Sequence, residues 1–234
     1  MDLGRRTRQT GTEAMAGRDA GRDASRESPK RRLPGTQRRE QLLSCALEQF
    51  CRHGYARATT SELARAAGVT EPVIYRHFES KKHLFIELIR RTGERTIRAW
   101  EEALAGAEDP AQRLLRLLGE NPMVTGEMRQ TYRVIFQAVA ETDDPDIRRV
   151  VAEHVNRLHT FLVRELSLAR EQHKIAGRFS PEIIAWLLIN TGLGYGMLDA
   201  LGVPGHGIDI SGALAKDVIA RLLLGKASEG DAAS

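Results

Sequence analysis

The residues of this chain best suited to chemistry lie between Thr60 and Lys82, and the chemistry they suit is hydrogen bonding to a polyanion. Thr60 offers a hydroxyl beside the free amides of a helix start, an arrangement that suits a phosphate. Tyr75 and His77 offer donors for phosphates on either wall of a groove. Ser80-Lys81-Lys82 open a further helix, where the dipole and the Lys81 ammonium both favour an anion. Thr70, Val73 and Arg76 suit base edges: Arg76 matches guanine in bidentate fashion and Val73 a thymine methyl. Glu71 is either an acceptor for cytosine N4 or a helix cap that sets the register. Pro72 sits in the first helical turn, where a missing N–H costs nothing. Nothing comparable points to bond-making chemistry. There is no nucleophile motif, Gly-rich phosphate loop or Cys/His cluster, and His154 and His159 are five residues apart, which is not one helical face. No catalytic residue, metal or cofactor is expected.

These side chains need two short helices held at a fixed angle. Ala64 is the small residue where the second helix crosses the first, and Gly68, four positions later, tolerates the positive φ of the turn. Val69, Ile74 and Phe78 anchor the second helix. This leaves Thr70, Pro72, Val73, Tyr75, Arg76 and His77 on its outer side or leading end, a layout that can enter a major groove. Flanking helices are predicted over 36–53, with Leu42, Leu43, Ala46, Leu47 and Phe50 as the buried stripe and Gly54 as the stop, and from Ser80 to Ala105. Thr60 is predicted to cap the first short helix. Beyond these, helical patterns run from Asp109-Pro110 to Asn121-Pro122, then over 126–141, 145–172, 181–201 and 209–224, which makes about nine helices and no strand.

Composition bounds the rest. Hydrophobic residues make up 41% of the 234 and aromatics 5%, so the core is aliphatic and helix-forming. The net charge is +4, concentrated in residues 1–39, which carry eleven Lys/Arg against five Asp/Glu. Residues 1–35 are too poor in large apolar side chains to order themselves and read as a disordered basic arm. Cys45 and Cys51 fit neither a zinc site nor a disulfide framework, and read as small hydrophobes in a reducing, cytoplasmic setting. No uninterrupted apolar run reaches membrane-spanning length; the nearest, 183–197, is diluted by Asn190, Thr191 and three glycines. No secretory signal and no membrane partner are expected.

The run from Thr59 to Thr70, then Ile74-Tyr75-Arg76-His77-Phe78, then Ser80-Lys81-Lys82-His83-Leu84-Phe85, resembles the N-terminal signature of the TetR family of transcriptional regulators. The resemblance covers residues 38–90, with Gly54-Tyr55 and Tyr75…Phe78…Lys81 its most distinctive parts. Pro72 departs from it, since the family more often carries a small or flexible residue there. The resemblance implies an all-α fold: an N-terminal three-helix helix-turn-helix DNA-binding domain at 36–91, joined to a helical ligand-binding and dimerisation domain at 92–225, with a frayed tail at 226–234. It implies an operator in double-stranded DNA, a small-molecule effector and a homodimer, with the protein acting as a repressor released by the effector.

The C-terminal half is compatible with that implication. Helix 181–201 is apolar nearly all round and so needs cover on two sides, from its own domain and from a partner. Ile184, Leu187, Leu188, Thr191, Tyr195, Leu198, Val218 and Leu222 are the expected dimer contacts; a purely intramolecular core is the alternative. Trp100, Tyr132, Phe136, His154, Trp186 and Asn190 are the candidates to line an effector pocket, Asn190 because it interrupts an apolar helix. Two rival readings remain open: an effector-independent architectural or chromosome-organising DNA binder, and an enzyme with a vestigial DNA-binding head.

Overall fold

Proline and hydroxyl or carboxylate caps decide where the helices begin. In the computed structural model, which describes residues 34–119, 128–172 and 180–205, the order is α1 Gly35–His53, α2 Thr60–Ala66, α3 Glu71–His77, α4 Lys81–Leu104, α5 Pro110–Gly119, α6 Met128–Val139, α7 Pro145–Glu171 and α8 Pro181–Ala200. Prolines open α5, α7 and α8, where no intrahelical N–H is needed. Ser80, Asp144 and Ser180 accept from the exposed first-turn amides of α4, α7 and α8. No strand occurs among the described residues. The arm, the helix expected at 209–224 with Val218 and Leu222, and the tail lie outside them.

One cap differs from expectation. Thr59, not Thr60, caps α2: its hydroxyl accepts from the Glu62 amide and the Glu62 carboxylate accepts from the Thr59 amide. This reciprocal pair satisfies two orphan donors at once, which Thr60 has no partner to do.

The N-terminal core is built by Leu42, Leu43, Ala46 and Phe50 of α1, Leu63 and Ala64 of α2, Ile74 of α3 and Leu84, Phe85, Leu88 and Ile89 of α4. Phe50 meets Phe85 edge-on at 5.4 Å, and Tyr55 stacks on Phe85 at 4.0 Å. The boundary expected at 91/92 falls inside α4, so one continuous helix serves both halves of the chain.

The second half packs α4, α6 and α7 around a narrow polar seam. Gly93 on α4 is buried, and a Cβ there would sit 2.7 Å from His154 Nδ1 on α7. Glycine costs helix propensity, about 1 kcal/mol, and here it admits the imidazole. His154 Nε2 lies 3.1 Å from the Tyr132 hydroxyl, which lies 3.3 Å from Thr96 Oγ1. Helix α5 is pinned to α7 by Arg113 and the buried Glu165 at 2.8 Å, and Arg164 also reaches that carboxylate. Helix α8 seats Ile184, Ala185, Ile189, Gly192 and Gly196 inward, chiefly against α7.

Burial, aided by the charge of Arg157, pushes the His154 imidazole down to about 4. The folded protein therefore holds it neutral, while the unfolded chain takes up a proton below the ordinary value of 6.5. Folding stability is full above that pH and falls as the pH drops towards 4, by about 2–3 kcal/mol at pH 4.5. Denaturant titrations between pH 7.5 and 4.5 should show this loss in the wild type and a flatter profile in His154→Gln. Equal slopes would mean that His154 is solvated.

Candidate functional site

Helices α2 and α3 are each only two turns long and depend on their connection for rigidity. The end of α2 is closed by two bonds, Val69 N–H to Ala64 O at 2.9 Å and Gly68 N–H to Arg65 O at 3.1 Å. That closure needs a left-handed residue, and Gly68 supplies it at φ +64°. Buried Ile74 and Phe78 then hold α3 down by one face. The opposite face presents Thr70, Pro72, Tyr75 and Arg76 to solvent, with Val73 and His77 half-buried at its edges. Thr70 makes no side-chain capping bond and is exposed.

The structure ties three of the expected contact residues to each other. The Thr60 hydroxyl donates to the Glu71 carboxylate and lies 3.2 Å from the Tyr75 hydroxyl. Glu71 thus braces α3 against α2 by accepting from a protein donor. Tyr75 remains half exposed, with its ring over the outer face.

Lys81 is used differently from the sequence expectation of a phosphate contact. Its Nζ donates to the carbonyls of Tyr55 at 2.9 Å, Ala58 at 3.0 Å and Ala56 at 3.4 Å, and lies 4.4 Å from the centre of the Tyr55 ring. A lysine ammonium has three donors, and all three close the α1–α2 turn. Its neighbour Lys82 pairs with Asp144 at 3.0 Å and Asp146 at 3.1 Å, at the start of α7. These bonds hold both carboxyls below the usual carboxylate range.

The expected effector-lining set divides in two. Trp100, Tyr132 and His154 are buried in the α4/α6/α7 seam with Phe136 at its edge, and burial raises the Tyr132 phenol. Trp100 stacks on Phe161 at 5.3 Å, and its Nε1, like His154 Nδ1, is buried without a hydrogen-bond partner. Trp186 and Asn190 do not join them. Both are exposed on the far side of α8, where Trp186 stacks on His159 at 4.3 Å. A cleft of about 380 Å³ at the α4–α5 corner is lined by Glu101, Leu104, Gly106, Glu108, Arg113 and Arg164 among others, none of them from the expected set.

The outer face of α8 is apolar: Ile183, Trp186, Leu187, Met197, Leu198 and Leu201 are all exposed, with Asn190 and Thr191 between them. Of the expected dimer contacts, Leu187, Thr191 and Leu198 lie on this face, and Leu188 and Tyr195 are half-buried. Ile184 does not; it is 4% exposed and belongs to the chain's own core. By length and composition alone, with a mean hydropathy of 1.3, α8 is long and apolar enough to cross a membrane, and Asn190 and Thr191 interrupt its apolar run. Among the described residues no three His, Cys, Asp or Glu side chains gather as a metal site.

Sequence reasoning missed Thr59, although its spacing to Glu62 carried the signal, and Gln137, whose amide bonds the α1–α2 turn from α6. Because the Lys81 ammonium closes that turn, Lys81→Met should cost about 1–3 kcal/mol of folding stability. Arg76→Met, at an exposed position, should stay within about 0.5 kcal/mol. Chemical denaturation separates the two; equal curves would make Lys81 a free surface cation.

Residues 42–88 match the family model of bacterial regulatory proteins, tetR family. Over 106 residues the chain is 37% identical to the HTH-type transcriptional activator FasR of Mycolicibacterium smegmatis, a match covering 45% of this chain and 48% of that protein. The chain thus spans about half the length of this relative. It is 26% identical over 196 residues to the HTH-type transcriptional regulator BetI of Brucella melitensis, covering 82% of this chain and 94% of that one. Its fold is similar to that of a transcriptional regulator from Saccharomonospora viridis crystallised with choline, with TM-score 0.73 and 23% identity over 81% of this chain and 98% of that one. The helix-turn-helix closed by Gly68 lies within residues 42–88, which match the bacterial regulatory proteins of the tetR family, and the described helices share the fold of the Saccharomonospora viridis regulator.

Proposed function

We propose that the chain is a homodimeric DNA-binding transcriptional regulator, a repressor that leaves a palindromic operator when a small molecule enters its C-terminal half. The observation that carries the reading is the outer face of α3. Thr70, Val73, Tyr75 and Arg76 project from a short helix whose other face is locked into a closed core. A recognition helix needs this combination of rigid backing and polar, partly basic front. In this reading residues 36–91 are the DNA-binding head and 92–225 the effector and dimerisation part. Thr60, Glu71 and Pro72 set the angle of α3, Tyr75 and His77 meet phosphates, and Thr70, Val73 and Arg76 meet bases. Lys81 supports the head from within.

Two further features support the rest. The outer face of α8 leaves Ile183, Trp186, Leu187, Met197 and Leu198 exposed together, and a second copy across a two-fold axis would cover them. The buried nitrogens of Trp100 and His154 have no partner, and each such group costs about 1–3 kcal/mol. An effector-independent architectural protein has no use for that cost. A ligand with an oxygen acceptor and an apolar body would relieve it, among Phe161, Leu158 and Tyr132. FasR is named an activator and BetI a regulator, so the sign of control is part of the proposal.

Selection of duplexes from a random pool by the purified protein should enrich a palindromic motif. Arg76→Ala should then bind the selected duplex about 1–3 kcal/mol more weakly and relax one base position in each half-site. Absence of any enriched motif, or an unchanged motif and affinity in Arg76→Ala, would overturn the reading.

A further inference from the structure

Two side-chain bonds cross from the C-terminal helices into the head at a single point. Gln137, half-buried on α6, donates from Nε2 to the Phe50 carbonyl at 2.8 Å and accepts at Oε1 from the Tyr55 amide at 3.1 Å. The two positions flank the end of α1, where Gly54 turns the chain at φ +81° and its own N–H also reaches Phe50 O, at 2.9 Å. Tyr55 N–H lies past the helix end and has no backbone acceptor there. An uncharged carboxamide supplies a donor and an acceptor side by side. Leucine would supply neither, and glutamate would set a carboxylate against the Phe50 carbonyl.

The turn held in this way aims the DNA-binding helices. The Tyr55 ring stacks on Phe85 and carries the Lys81 ammonium, and the Ala58 amide bonds back to Gly54 O at 3.2 Å. Thr59 follows at once as the cap of α2, and Thr60 bonds α2 to Glu71 and Tyr75 of α3. A displacement of the turn therefore carries α2 and α3 with it. At its other end α6 holds Tyr132, which meets His154 of α7 and Thr96 of α4 in the buried seam. Tyr132 and Gln137 lie on one 12-residue helix, about 7.5 Å apart along its axis.

We infer that Gln137 is a positioning residue for DNA recognition: from α6 its carboxamide clamps the α1–α2 turn and so fixes where the helix-turn-helix points. This rests on the regulator reading of α3. The clamp acts on placement and not on charge, so it bears on specific binding, which needs both heads in register, and not on attraction to duplex DNA in general.

The test compares wild type, Gln137→Leu and Gln137→Glu on a duplex enriched by the wild type from a random pool and on a scrambled duplex of equal length. Amide exchange at residues 54–58 and denaturant stability are measured alongside. The expected result for both variants is about tenfold weaker binding to the enriched duplex, on the order of one to two hydrogen bonds of ordinary net strength: Gln137→Leu loses both, and Gln137→Glu loses the donor to the Phe50 carbonyl and sets a charge against it. Binding to the scrambled duplex and its salt slope should be unchanged, and exchange at 54–58 faster. A purely structural role would lower stability while leaving the ratio of enriched to scrambled binding at its wild-type value, and that result overturns the inference. Unchanged exchange at 54–58 overturns it as well, by showing that Gln137 does not hold the turn. If the wild type enriches no sequence, the regulator reading itself fails and the inference falls with it.

Discussion

Helix α4 has to satisfy two cores at once, and most of the architecture follows from that constraint. Its 24 residues span about 36 Å. The first turns bury Leu84, Phe85, Leu88 and Ile89 beneath α1–α3, and the later turns bury Thr92, Thr96 and Trp100 against α6 and α7. A continuous helix committed at both ends cannot adjust one half without the other. The threonines ease the passage between the two halves, since each hydroxyl folds back onto the carbonyl four residues earlier, at 2.8 Å. Gly93 lies between them and lets α7 come close through His154.

Four further bonds cross between the same halves at the α1–α2 turn and the start of α7: Lys82 to Asp144 and to Asp146, and the two bonds of Gln137. The ion pairs are partly exposed and contribute little alone. Their placement still matters, because they join α4 to the elements that flank the buried seam. The seam is the least satisfied part of the described interior, with two nitrogens lacking partners inside an otherwise closed core. An element that is rigid at its ends and unsatisfied in the middle has a reason to rearrange when a partner for those nitrogens arrives.

How much of this was legible in the sequence depended on whether a local pattern carried it. The stripe Leu42, Leu43, Ala46 and Phe50, the Ala64–Gly68 spacing and the prolines at 110, 145 and 181 each act within a few residues, and the helices stand where those signals put them. Two adjacent threonines blurred the cap of α2, although Glu62 three residues on selects Thr59. Lys81 read as a phosphate contact because charge and dipole both favour an anion at a helix start. The three carbonyls that take its donors come from 23–26 residues earlier, and no sequence window shows them. Helix α8 defeated periodicity for another reason: it is apolar on every side, so nothing in its pattern separated inward Ile184 and Ile189 from outward Trp186 and Asn190. Gln137 left no signal, being an ordinary polar residue on an amphipathic helix.

The central claim is that two copies of α3, presented by one dimer, read one duplex. Hydroxyl-radical footprinting on a duplex selected by the protein tests it most directly. The account predicts two protected patches per site on one face of the DNA, centred about one helical turn, roughly 34–36 Å, or a little more apart. Their boundaries should stay fixed as protein is added beyond one dimer per site. A single protected patch, or protection that spreads along the duplex with rising protein concentration, would contradict it.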